Sequence, residues 1–403
     1  MKGVERIIPP LFRCPISLDL FTDPVTLCTG QTYERSSIEK WLACGNLICP
    51  VTMQKLHDPS TVPNHTLRHL IDGWLQSGNQ VEPDCLKMID NDDSIAAIKH
   101  ILESNESMLD HKLQILEKIR VLSEELPLQN SLLIQLDFFK LLLELVFRNA
   151  EGLNFQENLR VVEKALICAR NLLPFGDLGC LNILKEESKL AQFIFLLEKG
   201  SIIIKKCLCH MVEAISSDLE TQQLCSTLGK SDELVQEIVH LLHNNSDAVE
   251  DGTKSISALA LSESSRENLV KQGAIQGLII YIFNAKKQEK SLAPMAMETI
   301  LKLLLSVESA KQAVINHPLG IDAIVKMVFR VSSHHEGSES AVNSLLIICF
   351  ESKSVGEEAI GAGVLTQLLL LLQSQCSGRT KTKARMLLKL LGSMWTENPK
   401  VSF

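Results

Sequence analysis

Aromatic residues are scarce in this chain: two Tyr, three Trp and thirteen Phe make up only 4% of 403 residues. Strand-built cores draw on aromatic and β-branched side chains. An interior of Leu, Ile, Val and Ala, in a sequence that is 45% apolar, points instead to helix packed on helix. No apolar run nears the roughly 18 residues that a spanning helix needs, so no integral membrane span is expected. The opening MKGVERIIPP lacks the apolar core of a secretory signal. Basic excess is missing too. The net charge is −8, and residues 1–80 balance seven Lys and Arg against seven Asp and Glu, so the acid surplus lies further on. A nucleic-acid binder shows a basic stripe, and no nucleic-acid partner is expected. Twelve Cys are present, but scattered and without a CxxC pair. They read as small hydrophobes of a reducing interior. The cytoplasm is the expected setting, with the nucleus and the membrane periphery as further ones.

What is present divides at about residue 77. Residues 9–75 carry turn signals and short apolar stretches, and almost everything after them has helical period. Phe12, Ile16, Leu18 and Leu20 are apolar positions in a loop that Cys14-Pro15 keeps from being a helix. Val25 and Leu27 alternate as a strand requires, Thr29-Gly30 turns, and Gln31–Tyr33 returns as a second strand. A helix is expected from Glu34 or Ser36, with Ile38, Trp41 and Leu42 on one face and a stop at Gly45-Asn46. Cys49-Pro50-Val51 opens a second loop. Asn64 caps a final helix whose stripe is Leu67, Leu70, Ile71, Trp74 and Leu75.

A unit this small usually needs a staple. Zinc is not expected: Cys14 and Cys28 are separated by 13 residues, Cys44 and Cys49 by four, and His57, His65 and His69 supply no knuckle. A polar staple among Asp19, Asp23, Thr32, Glu34 and Arg35 is expected in its place.

The stretches FRCPISLDLFTDPV, GQTYERSSIEKWL, CPVT and PNHTLRHLIDGWL stand in an order and spacing that resemble a U-box, a RING-like fold without zinc ligands. The likeness covers residues 8–76 and, within the family, is nearest to plant U-box proteins with C-terminal armadillo repeats. It implies an E3 ubiquitin ligase that binds a ubiquitin-charged conjugating enzyme and forms no covalent intermediate itself. No catalytic residue, metal or cofactor is assigned. By the resemblance, Ile16, Trp41 and Pro50 face the conjugating enzyme. Cys14, Asp23, Tyr33 and Asn64 support the fold. Trp41 and Cys14 each keep a second reading, as pure core for Trp41 and as interface or groove support for Cys14. The position where some relatives carry a cation after Pro-x-Thr is Met53 here.

Self-similar stretches begin at Gln223, Glu267, Lys311 and Glu357, 44 to 46 residues apart. Each reads as a short helix, a Gly-containing turn and a long apolar helix, with Gly273, Gly320 and Gly363 at three turns and Gly229 at a weaker one. This grammar resembles armadillo repeats, about five or six of them with the first two degenerate. A basic capping helix follows, with Leu387, Leu388 and Leu391 inward and Arg379, Lys381, Lys383, Arg385 and Lys389 toward solvent. The expected fold class is therefore mainly α: a small α+β U-box at 8–77, a linker at 78–93, and an α-α armadillo solenoid at 94–403.

The implied partners are the conjugating enzyme, ubiquitin, protein substrates in the armadillo groove and, as an open question, a second copy of the chain. The resemblance points to plant stress or defence signalling. A non-catalytic adaptor is the alternative reading. A karyopherin-like cargo receptor is disfavoured, because the repeats hold one Trp, Trp395, where such receptors line their grooves with several.

Overall fold

Cys14-Pro15 and Cys49-Pro50 open two loops that a single short strand holds together. A computed structural model of the chain describes residues 12–56, 58–65, 67–68, 71, 95–104, 108–125, 130–149, 155–218, 220–243, 247–285, 291–330 and 337–396. Its contacts divide it into two compact units, Met1–Asp93 and Ser94–Phe403. The expected linker, and Leu70, Trp74 and Leu75 of the expected final stripe, lie outside the described residues.

In the first unit, β1 (Pro24–Thr26) pairs antiparallel with β2 (Thr32–Glu34) in the register Val25 to Tyr33. On its other side β1 pairs with β3 (Val62–Pro63), giving the order β2-β1-β3. β3 was not foreseen, because two residues carry no alternation to read. Gly30, at φ 79, makes the turn between β1 and β2. Helix α1 (Arg35–Ala43) follows β2 directly, and Gly45 at φ 81 ends it. Residues 65, 67, 68 and 71 are helical, and Asn64 caps them by accepting from the Leu67 N–H at 3.0 Å. The core is Cys14, Phe21, Val25, Leu27, Tyr33, Ile38, Cys49, Leu56 and Ile71. So few apolar groups leave polar contacts a large share of the work.

The second unit is a succession of helices. The four stretches read from sequence appear as Gln222–Lys230 with Asp232–His243, Glu263–Lys271 with Ala274–Asn284, Glu308–Ile315 with Gly320–Val328, and Lys353–Gly361 with Val364–Gln373. Between successive pairs stands a further, joining helix that the two-helix reading left out of the repeat, Val249–Leu259, Ala293–Ser306 and Ser338–Glu351, and the last pair is followed by Gly378–Thr396, the expected capping helix. Ile202–Ser217 precedes the first pair in the same way and packs on Val249–Leu259.

Two of the glycine assignments need correction. Gly273 and Gly363 adopt left-handed φ of 88 and 85 at their turns, as expected. Gly320 does not. It is the first residue of its helix, and a Cβ there would stand 2.0 Å from the Val314 carbonyl oxygen, so close approach is what demands glycine. Gly229 lies inside Gln222–Lys230, where a Cβ would meet Ser265 Oγ at 2.0 Å. Upstream, Leu173–Phe175 and Leu178–Lys185 are 3-10 turns, where the sequence repeat also fades.

The terminal helix buries Leu387 and Leu391, while Leu388 is half-buried. Arg385 and Lys389 are exposed. Lys383, expected in solvent, is held against Glu339 at 2.8 Å, and Lys381 is half-buried.

Candidate functional site

The two loops of the first unit are built alike, offset by 35 residues from Cys14 to Cys49. Cys14 N–H donates to the Asp19 carbonyl and Cys49 N–H to the Gln54 carbonyl, both at 2.9 Å. Leu18 N–H returns to the Cys14 carbonyl at 2.8 Å, and Met53 N–H to the Cys49 carbonyl at 2.9 Å. Phe21 N–H to Phe12 and Leu56 N–H to Leu47 close the bases. Leu18 and Met53 both take positive φ, 64 and 57, in the left-handed region that favours glycine.

Adjacent residues of β2 hold the two loops. The Glu34 N–H donates to Cys14 Sγ at 3.3 Å, and the Ile16 N–H reaches the same sulfur at 3.4 Å. The Tyr33 hydroxyl lies 3.0 Å from Cys49 Sγ and accepts from the Val51 N–H at 3.2 Å. Because its oxygen accepts from Val51, the Tyr33 O–H is free to point at the sulfur, and Thr29 Oγ1 donates there too at 3.3 Å. Burial pushes the Cys49 thiol up, but the hydrogen bonds from Thr29, Thr52 and Tyr33 outweigh it and bring it down to about 6. Burial likewise raises Cys14, and the N–H groups of Glu34, Ser17 and Ile16 prevail in lowering it. Both sulfurs are fully buried. Cys14 is thus core and an acceptor that fixes Ile16.

The polar staple is present: the side chains of Asp23, Thr32, Glu34 and Arg35 take part as expected, joined by Thr22, Thr26 and Asn64. The Glu34 carboxylate accepts from Thr22 N–H and Thr22 Oγ1 at 2.8 Å and from Asp23 N–H at 3.1 Å. Arg35 Nε donates to Asp23 at 2.7 Å, which with the Arg35 charge holds the Asp23 carboxyl below its usual range. Thr26, Thr32 and Asn64 link the sheet to the final helix. Asp19 takes part through its backbone. Among the described residues no group of three or more His, Cys, Asp or Glu is placed to hold a metal ion.

On the outside, the loops present Ile16 (37% exposed), Leu18 (67%), Val51 (50%) and Met53 (72%). Trp41 is exposed on α1, and its Nε1–H donates to the Ile48 carbonyl at 2.9 Å, so it is tied to the second loop and is not buried core. Pro50 is half-buried beside Cys49. Leu18 and Val51 went unassigned in the sequence, although CPISL and CPVTM repeat there, with Val51 in the place of Ile16 and Leu18 in the place of Met53.

The second unit has a cleft of about 800 Å³. Three of the joining helices line it at helical spacing: His210, Glu213, Ala214 and Ser217; Lys254, Ser257 and Ala258, with Leu261 just past the helix end; Met295, Glu298, Thr299 and Lys302. Small side chains make the floor. Thr299 Oγ1 donates to Ser257 Oγ at 2.8 Å, and Lys254 pairs with Glu213 at 3.8 Å across neighbouring helices.

A family profile for the U-box domain matches residues 8–80, and one for the plant U-box protein ARM repeat region matches residues 95–403. The chain belongs to the plant U-box proteins with an ARM repeat region. It is 30% identical to U-box domain-containing protein 26 of Arabidopsis thaliana over 98% of this chain and 94% of that protein. It is 28% identical to the E3 ubiquitin-protein ligase PUB23 of Arabidopsis thaliana over 98% of this chain and 95% of that protein. Among solved structures, an engineered protein aligns with TM-score 0.53 at 14% identity, over 73% of this chain and 68% of that one, a likeness of fold alone.

Proposed function

We propose that this chain, a U-box E3 ubiquitin transferase, recruits a ubiquitin-charged conjugating enzyme through Ile16, Trp41 and Pro50. It then directs ubiquitin to a Lys of a protein held by the ARM unit. The observation that carries the reading is the pair of loop tips: exposed apolar side chains on two loops that β2 holds through Cys14 and Cys49. Such a rigid apolar surface suits a protein partner. Leu18 and Val51 join it.

The chemistry passes through the partner. The substrate amine attacks the thioester carbonyl on the conjugating enzyme, an isopeptide bond forms, and the enzyme's thiol leaves. This chain supplies proximity and orientation. Its loop thiols are buried and hydrogen-bonded, so neither is offered as a nucleophile. The cytoplasm suits a chain whose described cysteines are all free thiols, and the family likeness points to stress or defence signalling.

The test is autoubiquitination by purified chain with a panel of conjugating enzymes. Trp41→Ala is expected to abolish the product while circular dichroism stays native. Full activity in the folded variant would remove Trp41 from the surface. No product from the unaltered chain with any conjugating enzyme would favour the adaptor reading.

A further inference from the structure

Three long helices of the ARM unit carry the same apolar row, starting at their second residue. Ile275, Ile279 and Ile282 on Ala274–Asn284 stand at i, i+4 and i+7, as do Ile321, Val325 and Val328 on Gly320–Val328, and all six are buried. These helices stack in succession, and Val364–Gln373 stacks on Gly320–Val328 in turn. Its row is Leu365, Leu369 and Leu372. The middle position is 0% exposed in Ile279, 3% in Val325 and 54% in Leu369, while Leu365 and Leu372 are half-buried. The row is thus the side on which each helix receives the next, and among the described residues none follows Val364–Gln373 in this place.

The terminal helix Gly378–Thr396 turns a second stripe the same way. Its Arg379, Thr380 and Lys383 meet Glu339 of the preceding Ser338–Glu351 at 3.2, 3.3 and 2.8 Å, which fixes the side facing back along the stack. At about 100° per residue, Lys381, Arg385, Leu388 and Gly392 lie on the opposite side. Stripes of that spacing on the two earlier joining helices are fully buried: Ala293, Met297, Ile300 and Leu304 on one, Ser338, Val342, Leu345 and Cys349 on the next. On the terminal helix Arg385 is exposed, and Lys381 and Leu388 are half-buried. The last repeat therefore keeps the Leu row and sets two cations where earlier repeats have small or apolar residues. Glu339 is already held by Arg379 and Lys383, and among the described residues neither Lys381 nor Arg385 has an ion pair. Val364–Gln373 and Gly378–Thr396 contain no Asp or Glu. The exposed Glu357 and Glu358 belong to the neighbouring Lys353–Gly361, where Glu357 and Lys353 are already engaged.

We propose that this end face binds an amphipathic helix of a partner protein, one with an apolar row at i, i+4 and i+7 and Asp or Glu along one edge. The row packs on Leu365, Leu369 and Leu372 as the next repeat's helix does elsewhere in the stack, and the acids meet Lys381 and Arg385. The earlier repeats show that a helix is what this row accepts, and the two cations select an acidic one. A second copy of the chain fits less well, because it brings the same two cations. No residue of these two helices lines the cleft, so the partner of this face is independent of what the cleft holds.

Fluorescence anisotropy on the full purified chain tests it, using a labelled synthetic helical peptide with Leu at i, i+4 and i+7 and Glu along one flank. One control peptide carries Lys in place of Glu, and another keeps the composition but scrambles the Leu row. The acidic peptide is expected to bind at least about tenfold more tightly than either control and to weaken as salt rises. Leu369→Ser, at an exposed position, is expected to lower its affinity about tenfold. Arg385→Glu is expected to turn the preference toward the Lys peptide, and Leu261→Ser, in the cleft, to leave binding unchanged. Equal binding of the three peptides, or an affinity that falls in Leu261→Ser and not in Leu369→Ser, overturns the proposal. A dimer in sedimentation that Leu369→Ser dissolves overturns it in favour of a second copy. Retention on phosphatidylserine vesicles that Arg385→Glu abolishes, without discrimination among the peptides, overturns it in favour of a lipid surface.

Discussion

At the scale of single residues, the first unit turns on Cys49. Its folded pKa of about 6 lies below the 9.0 of an ordinary thiol. Between those values the unfolded chain binds a proton that the folded chain does not. The stability this group contributes is therefore complete above about pH 9 and is lost as pH falls through about 6. Cys49→Ser keeps an oxygen acceptor but no group that titrates there. Urea unfolding across that window is expected to show wild type losing stability toward acid more steeply than the variant, and parallel curves would contradict the thiolate. Glu34→Ala is expected to cost about 1–3 kcal/mol, because the N–H groups of Thr22 and Asp23 lose their acceptor. Ile16, Trp41 and Pro50 were legible in the sequence as positions of a pattern. The roles of Tyr33, Cys14 and Cys49 as hydrogen-bonding hubs were not. Those contacts join residues 16 to 20 apart through a side chain, and no local period records them.

At the scale of elements, the repeat was legible because two features coincide: apolar stripes at helical spacing and a glycine before the long helix. The joining helix escaped the two-helix unit for a physical reason. It passes into the next short helix through Ser262, Val307 or Ser352, all in extended conformations open to any residue, so no glycine marks the boundary. Glycines that serve packing and glycines that serve a turn look the same in a sequence. Gly320→Ala would drive a Cβ into the Val314 carbonyl and is expected to cost about 1–3 kcal/mol. Gly392→Ala, on an exposed face of the terminal helix where a Cβ meets nothing within 4 Å, is expected to stabilise by up to about 1 kcal/mol. Chemical denaturation of the two variants should move in opposite directions.

At the scale of the whole molecule, the chain joins two kinds of stability. The first unit has one small core and a dense polar network, whereas the ARM unit adds one neighbour-to-neighbour interface after another. Unfolding of a Trp395→Phe variant, followed by tryptophan fluorescence, which then comes from the first unit alone, and by helical circular dichroism, is expected to give transitions that do not coincide, and superimposed transitions would mean the units melt as one. The 44- to 46-residue period made the solenoid readable. The ion pairs between repeats were hidden, since Asp232 with Lys271, and Glu339 with Lys383, meet only when repeats stack.

The matching loops of the first unit also supply an internal control. Leu18 and Met53 share the same backbone strain at equivalent tips. Leu18→Gly and Met53→Gly should therefore relieve it by similar amounts and shift the melting temperature alike. Any difference between them in ubiquitin transfer then belongs to what each side chain touches in a partner, cleanly separated from what each contributes to the fold.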